Sequence, residues 1–366
     1  MRLLHLTDRL SQRGGADWHL LGVLAAQVGG GHEVHLAVGR IDDAAAAPRG
    51  VTLHRLEGLD AREERPVDLR PLADRLAPTL IHVHNVVNPA ALHWVARQPR
   101  PGLMTVQDHR AFCPGRGRWT AAGAPCTRPG PDRAACAACF DDPAYGAAMV
   151  ALTAARLEAL GGLTLTVLSR YMQEQLTAAG VAAGQIHVIP PFVHGLDTAT
   201  AATADSRCVL FAGRLVAGKG VAEALEVWRR AGLALPLVFA GTGPERNRLR
   251  LDEQPGCEVL GWIPHVRLAA VYRRAVVLVL PCRWQEPFGI VGLEALTLGV
   301  PVAAWDSGGV RDWHPGAASG LVPWGDLEGL ARATRELAGR RALAPSGSFS
   351  RAALMARLEA LYRSLV

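Results

Sequence analysis

Residues 275–280, Ala-Val-Val-Leu-Val-Leu, are apolar without interruption, and Pro281 ends the run. A strand with one wet face alternates apolar and polar residues. An unbroken β-branched run needs cover on both faces, which is the habit of parallel strands in α/β folds. Proline halts the run because it has no N–H for the ladder. The pattern then turns helical from Ile290 and stops at Gly299-Val300-Pro301. The same order opens the chain: residues 3–7 read as a strand, Gly14-Gly15 as a turn, 18–28 as a helix and 31–38 as a strand. It restarts with a strand over 208–212, a glycine loop over 213–220, a helix over 221–230 and a strand over 237–240. This rhythm predicts doubly wound parallel sheets, and 366 residues are enough for two of them. The domains are expected over 1–195 and 196–349, with the Thr/Ala-rich stretch 197–205 as the linker.

Chemistry concentrates just past the 275–280 strand. Glu286 falls in the loop at its carboxyl end, and Glu294 falls in the first turns of the next helix. Gly289 lets the loop backbone approach a ligand. The N–H groups and dipole of a helix start suit a phosphate, and a carboxylate beside them suits sugar or ribose hydroxyls. In isolation, such a pair of glutamates is more often a capping arrangement. Arg214 and Lys219 are the two cations of the 213–220 loop. They could clamp a diphosphate from two sides, although lone cations of this kind are more often solvated surface charges.

The string EPFGIVGLEALTLGVPVAA shifts both readings. It closely resembles the signature of the retaining family-4 glycosyltransferases, which have the GT-B fold. The resemblance implies that Glu286 contacts a donor sugar and Glu294 the ribose, and that the Gly289 and Ile290 backbone meets the diphosphate. The family motif G-R-x-x-x-x-K-G is matched at 213–220, so Arg214 and Lys219 would neutralise that diphosphate. Residues 259–263, ending in Ile263, match the strand and turn that hold the base. Gly14 and Gly15 would face the cleft between two Rossmann-like domains, and a C-terminal helix within 350–366 would cross back onto the first. That helix has its own signal, with Leu354, Leu358, Leu361 and Leu365 at amphipathic spacing. The implied reaction moves a sugar from a nucleotide-diphosphate donor to a hydroxyl of a glycan, lipid-linked or small-molecule acceptor. No metal is required for the chemistry. The chain departs from the family at a His-Asp pair near the donor sugar: Gln107 stands at the histidine position, Asp108 matches, and His109 comes two places late. It departs again at 191–195, where Pro-Asn-Gly-Val-Asp is usual. Two rival readings are a GT-B sugar-nucleotide epimerase and a degenerate transferase kept as a binding scaffold. Epimerases lack the Glu-Pro-Phe-Gly core, and the intact Glu286, Glu294, Arg214 and Lys219 speak against a scaffold.

Residues 113–145 form a Gly-, Arg- and Pro-rich insert holding Cys113, Cys126, Cys136 and Cys139. Four thiols and little apolar material suit a tetrahedral zinc that orders the loop. An iron–sulfur cluster, disulfides and unpaired thiols are the alternatives. A subset of the family carries a similar insert, and in that setting the zinc is structural. Cys208, Cys257 and Cys282 lie in or beside apolar runs and read as core thiols. The formal charge of +6 suits an anionic nucleotide sugar, an anionic membrane surface, or background charge. No basic block interleaved with aromatics supports nucleic-acid binding. The start MRLLHLTD is too short and polar for a signal peptide, and no apolar run approaches about eighteen residues. A cytoplasmic protein is expected, with contact at the inner face of a membrane as the variant of that reading.

Overall fold

The structure, a computed structural model, describes residues 1–196, 207–345 and 349–366. The linker expected over 197–205 lies outside the described residues. The chain divides into two compact units. One comprises Met1–Ala121, Cys126–His194 and Phe349–Val366, the other Ala122–Pro125 and Gly195–Ser348.

The first unit carries strands β1 (Arg2–Leu10), β2 (Glu33–Ile41), β3 (Val51–Arg55), β4 (Leu80–His84), β5 (Gly102–Val106), β6 (Thr164–Val167) and β7 (Ile186–Val188). They form one parallel sheet in the order β3-β2-β1-β4-β5-β6-β7. The second unit carries β8 (Cys208–Ala212), β9 (Leu237–Ala240), β10 (Cys257–Gly261), β11 (Ala275–Leu280), β12 (Val302–Trp305) and β13 (Leu321–Val322). Its parallel order is β10-β9-β8-β11-β12-β13. Both orders reverse direction at one place, between β1 and β4 and between β8 and β11. In open α/β sheets, ligands bind outside the carboxyl ends of the strands at such a switch point.

The predicted strand over 275–280 is β11, and all but its first residue are buried. Other boundaries moved for local reasons. β1 runs on to Leu10 because Arg9 and Leu10 still pair with Arg40 and Ile41 of β2. The first helix, Gly15–Gly29, starts three residues earlier than its apolar pattern. Asp17 caps its entrance, with Oδ2 accepting the N–H groups of Arg13 (3.0 Å) and Gly14 (3.1 Å) and the Ser11 hydroxyl (2.5 Å). β10 ends at Gly261, which has φ +73°, so Ile263 lies beyond the strand.

The last helix, Arg351–Leu365, belongs to the first unit. Leu354, Leu358, Leu361 and Tyr362 pack on Leu3, Val23, Leu80, Leu103, Ile189 and Phe192. Tyr362 also ends a polar chain buried under the sheet. Gln27 Nε2 donates to its hydroxyl at 2.9 Å, and that hydroxyl lies 2.6 Å from His82 Nδ1. The amide N–H donates, so the tyrosine oxygen accepts from Gln27 and shares a second hydrogen bond with His82 Nδ1. His82 Nε2 meets Thr105 Oγ1 at 2.7 Å, and Thr105 meets Thr166 at 2.7 Å. Alongside, His5 Nδ1 meets His84 Nε2 at 3.0 Å. A row of neutral imidazoles thus fixes the C-terminal helix against β1, β4, β5 and β6.

Burial lowers the pKa of His5 from 6.5 to about 3, and holds those of His82 and His84 well below the ordinary value. These folded-state values are depressed, so their contribution to stability is fully present above pH 6.5. Below that pH the unfolded chain takes up protons that the folded chain refuses, and stability falls. The first unit should therefore lose stability progressively as pH drops from 6.5 towards 3. Hydrogen exchange of the β1 and β4 amides against pH measures this, and a flat profile across that window would contradict it.

Candidate functional site

The switch point of the second sheet gathers the residues singled out from the sequence. The loop after β8 holds Arg214 and Lys219, and the loop after the neighbouring β11 holds Glu286. The two loops are joined through their backbones. Arg283 and Trp284 N–H both donate to the Gly218 carbonyl at 3.0 Å. Gly220 has φ +75°, and a Cβ there would lie 1.8 Å from the Pro281 carbonyl oxygen. No other residue type fits this contact.

Lys219 Nζ reaches Glu286 Oε1 at 2.5 Å, and their side chains are 17% and 4% exposed. The same oxygen accepts the Trp284 indole N–H at 2.7 Å and the Cys282 thiol at 2.9 Å. Burial alone would push Glu286 up, but Lys219 and the three donors bring its pKa below the ordinary value. Burial likewise opposes the charge on Lys219, and Glu286 outweighs it and raises its pKa. Both groups are therefore ionised. Lys219 is thus a buried, paired cation rather than a free clamp. Cys282, read from the sequence as a core thiol, is buried as expected but also donates within the site, and the carboxylate beside it helps raise a pKa that burial already lifts. Arg214 is exposed, with its guanidinium carbon 5.2 Å from the Trp284 ring centroid.

Gly289 is the N-cap of the helix Ile290–Thr297 and sits at φ +83°. A helix start leaves backbone N–H groups without partners inside the helix, and here they follow directly on the Glu286 loop. Glu294, 4% exposed, lies on this helix. Its Oε1 pairs with His265 Nε2 at 2.9 Å, and its Oε2 accepts the Tyr272 hydroxyl at 2.7 Å. Both partners come from the helix His265–Arg274. They stand seven residues apart, about two helical turns, hence on one face. That spacing was readable in the sequence, but nothing there pointed it at Glu294. Ile263 lies between Gly261 and this helix.

The first unit gathers a separate set at its own switch point. Asp8 lies near the carboxyl end of β1, Asn85 follows β4, and Gln107, Asp108 and His109 follow β5. Asp108 Oδ2 pairs with Arg110 Nε at 2.7 Å, and Asp8 lies 3.9 Å from the same guanidinium. Burial lifts the Asp8 carboxyl above its ordinary pKa, with Arg110 pulling the other way. Gln107 Nε2 meets His19 Nδ1 at 3.1 Å, which ties it to the helix that starts at Gly15. His109 is buried against Phe112, with Nε2 3.4 Å from the Tyr171 hydroxyl. It is packed in the core of this edge, whereas Asp108 is partly open. Gly14 and Gly15 form the entrance of the first helix, and the Gly14 N–H is taken by Asp17. That use is the tight-turn role.

In the insert, Cys113, Cys126, Cys136 and Cys139 are free thiols, and Cys136 is the buried one. Among the described residues, the group whose ligand atoms all lie within 4.8 Å of one another is His5, His82 and His84. Both ring nitrogens of His82 are already engaged by Tyr362 and Thr105, so that trio reads as structural. Burial raises the Cys113 pKa, and backbone hydrogen bonds from Arg118 and Gly115 pull it down.

Residues 206–340 match the family model described as Glycosyl transferases group 1. The matched residues make up most of the second unit. An exopolysaccharide phosphotransferase of Streptomyces coelicolor is 32% identical over 203 residues, 52% of this chain and 21% of that protein. Glycogen synthase of Mycobacterium tuberculosis is 34% identical over 140 residues, 35% of this chain and 33% of that protein. The chain thus spans about a fifth to a third of the length of these relatives. The structure of HepE from Anabaena, in complex with UDP and glucose, covers 100% of both chains at a TM-score of 0.65 and 15% identity. That likeness is one of fold. With two Rossmann-like parallel-sheet units, the fold is GT-B.

Among the described residues, no helix is long and apolar enough to cross a membrane.

Proposed function

We propose that the chain transfers a sugar from a nucleoside-diphosphate donor to an acceptor hydroxyl, with the anomeric configuration retained. The observation that carries this reading is the grouping of Arg214, Lys219, Glu286 and the start of the helix Ile290–Thr297 at one switch point. The bond between the anomeric carbon and the phosphate oxygen breaks, and negative charge grows on the diphosphate. Arg214, Lys219 and the helix N–H groups stabilise that charge. The acceptor oxygen bonds to the same face of the sugar, and its proton passes to the departing phosphate oxygen. Glu286, ionised and anchored by three donors, faces the positive charge that develops on the sugar ring. Glu294, held by His265 and Tyr272, contacts the ribose. Residues Gln107 and Asp108 of the first unit serve the acceptor or the donor sugar. The reaction takes place in the cytoplasm, at the inner face of a membrane where the acceptor is lipid-linked.

UDP is the first probe, because HepE of similar fold was crystallised with it. Calorimetry should show UDP, or failing it GDP or ADP, binding the wild-type chain. Arg214→Ala should bind the same nucleotide about 10 to 100 times more weakly, the value of a charge-assisted hydrogen bond. Binding of none of the three, or unchanged affinity in the variant, would sink the reading.

We further propose that Cys113, Cys126, Cys136 and Cys139 hold a structural zinc. Support comes from the sequence: four cysteines, two of them in a C-x2-C pair, in an insert with little apolar material of its own. Metal would draw the four sulfurs into a tetrahedron about 2.3 Å from the ion. Elemental analysis of protein purified without added metal should find about one zinc per chain, and far less in Cys136→Ser. Wild-type protein free of metal would refute the site.

A further inference from the structure

We propose that Trp284 is the positioning residue of the donor site, setting both cations of the diphosphate clamp and the sugar-facing carboxylate through one indole. The inference rests on the donor-site reading above. Lys219 Nζ lies 4.9 Å and the Arg214 guanidinium carbon 5.2 Å from the Trp284 ring centroid. Both are within the range over which an aromatic quadrupole attracts a cation. The indole N–H points the other way chemically and donates to Glu286 Oε1 at 2.7 Å.

These contacts answer a problem the site has without a ligand. Arg214 and Lys219 are like charges in one loop, and Arg214 lowers the pKa that Glu286 raises on Lys219. With no diphosphate present, mutual repulsion would spread the cations and randomise the exposed arginine. An aromatic face offers both an attractive surface that is not itself an anion. Lys219 is already paired with Glu286, so a second carboxylate in place of the ring would neutralise Arg214 as well, whereas the indole leaves the arginine's charge for the ligand. The same ring orients Glu286, which Lys219 alone would hold by a point charge with no preferred direction.

The chain is built to keep the ring there. The Trp284 N–H is bonded to the Gly218 carbonyl at 3.0 Å, which joins the indole's own backbone to the loop that carries both cations. A Cβ on Gly218 would lie 2.8 Å from the ring, so glycine at 218 is what admits the indole against the loop. Trp284 is half-buried.

The two roles separate by substitution. Trp284→Phe keeps a ring for the cations and removes the N–H donor. Trp284→Leu removes both while keeping an apolar side chain. With the nucleoside diphosphate that the wild type binds as probe, calorimetry should find affinity within about threefold of wild type for the phenylalanine variant and about tenfold or more weaker for the leucine variant. Hydrolysis of the matching nucleotide glucose should separate them again: the phenylalanine variant loses kcat by about tenfold with little change in KM, since one hydrogen bond to the reacting carboxylate is gone. A merely structural tryptophan would shift neither ratio in this selective way, because both variants would lose binding together with thermal stability. Wild-type affinity in the leucine variant, or wild-type kcat in the phenylalanine variant, overturns the proposal while leaving the donor-site reading in place. A wild-type chain that binds no nucleoside diphosphate overturns that reading first, and this inference with it.

Discussion

One buried contact, between the ammonium of Lys219 and Oε1 of Glu286, governs the arrangement of the second unit's site. Neither charge is tolerable alone at that depth, because burying an unpaired ion costs more than any nearby packing returns. The pair must therefore form, and it forces the loop after β8 against the loop after β11. The glycines follow from that approach. Gly220 is needed because the Pro281 carbonyl lies where a Cβ would be, and Gly218 because Trp284 lies over it. Cys282 and Trp284 then complete the coordination of the same carboxylate oxygen.

The two units solve the same topological problem with different chemistry. Each has its switch point beside its first strand. In the second unit, charges are paired and ionised there. In the first, the edge carries Asp8, Asp108 and Arg110, while the space beneath is filled by neutral histidines whose protons are refused by burial. The C-terminal helix is thus held to the first sheet by the hydrogen bonds of Tyr362 to Gln27 and His82 as well as by its leucines.

Much of this was legible in the sequence where one local rule decides the outcome. The unbroken apolar run of β11 demanded a doubly covered parallel strand. Serine favours the position before a helix, and Ser169, at the start of the helix Arg170–Ala178, accepts the Met172 N–H at 3.2 Å. Arg214, Lys219, Glu286 and the helix start at Ile290 were placed in one region by their motifs, and the structure brings them together. What was not legible depends on partners distant in sequence. Lys219 and Glu286 are 67 residues apart, and no spacing rule says that the lysine spends its charge on that glutamate. His265 and Tyr272 showed a shared helical face but not the carboxylate they bind. Tyr362 lay outside the leucine stripe, so its hydroxyl role depended on His82, 280 positions away. The four insert cysteines invite a metal by composition, and the metal itself is a matter for elemental analysis.

The central claim is that Lys219 and Glu286 act as one buried unit, and a double-mutant cycle in denaturant unfolding tests it most directly. Lys219→Met and Glu286→Gln should each destabilise the second unit by about 3–5 kcal/mol, because each leaves a buried charge without its partner. The double variant should then recover at least about 2 kcal/mol relative to the sum of the two. Small single costs that add without recovery would contradict the account.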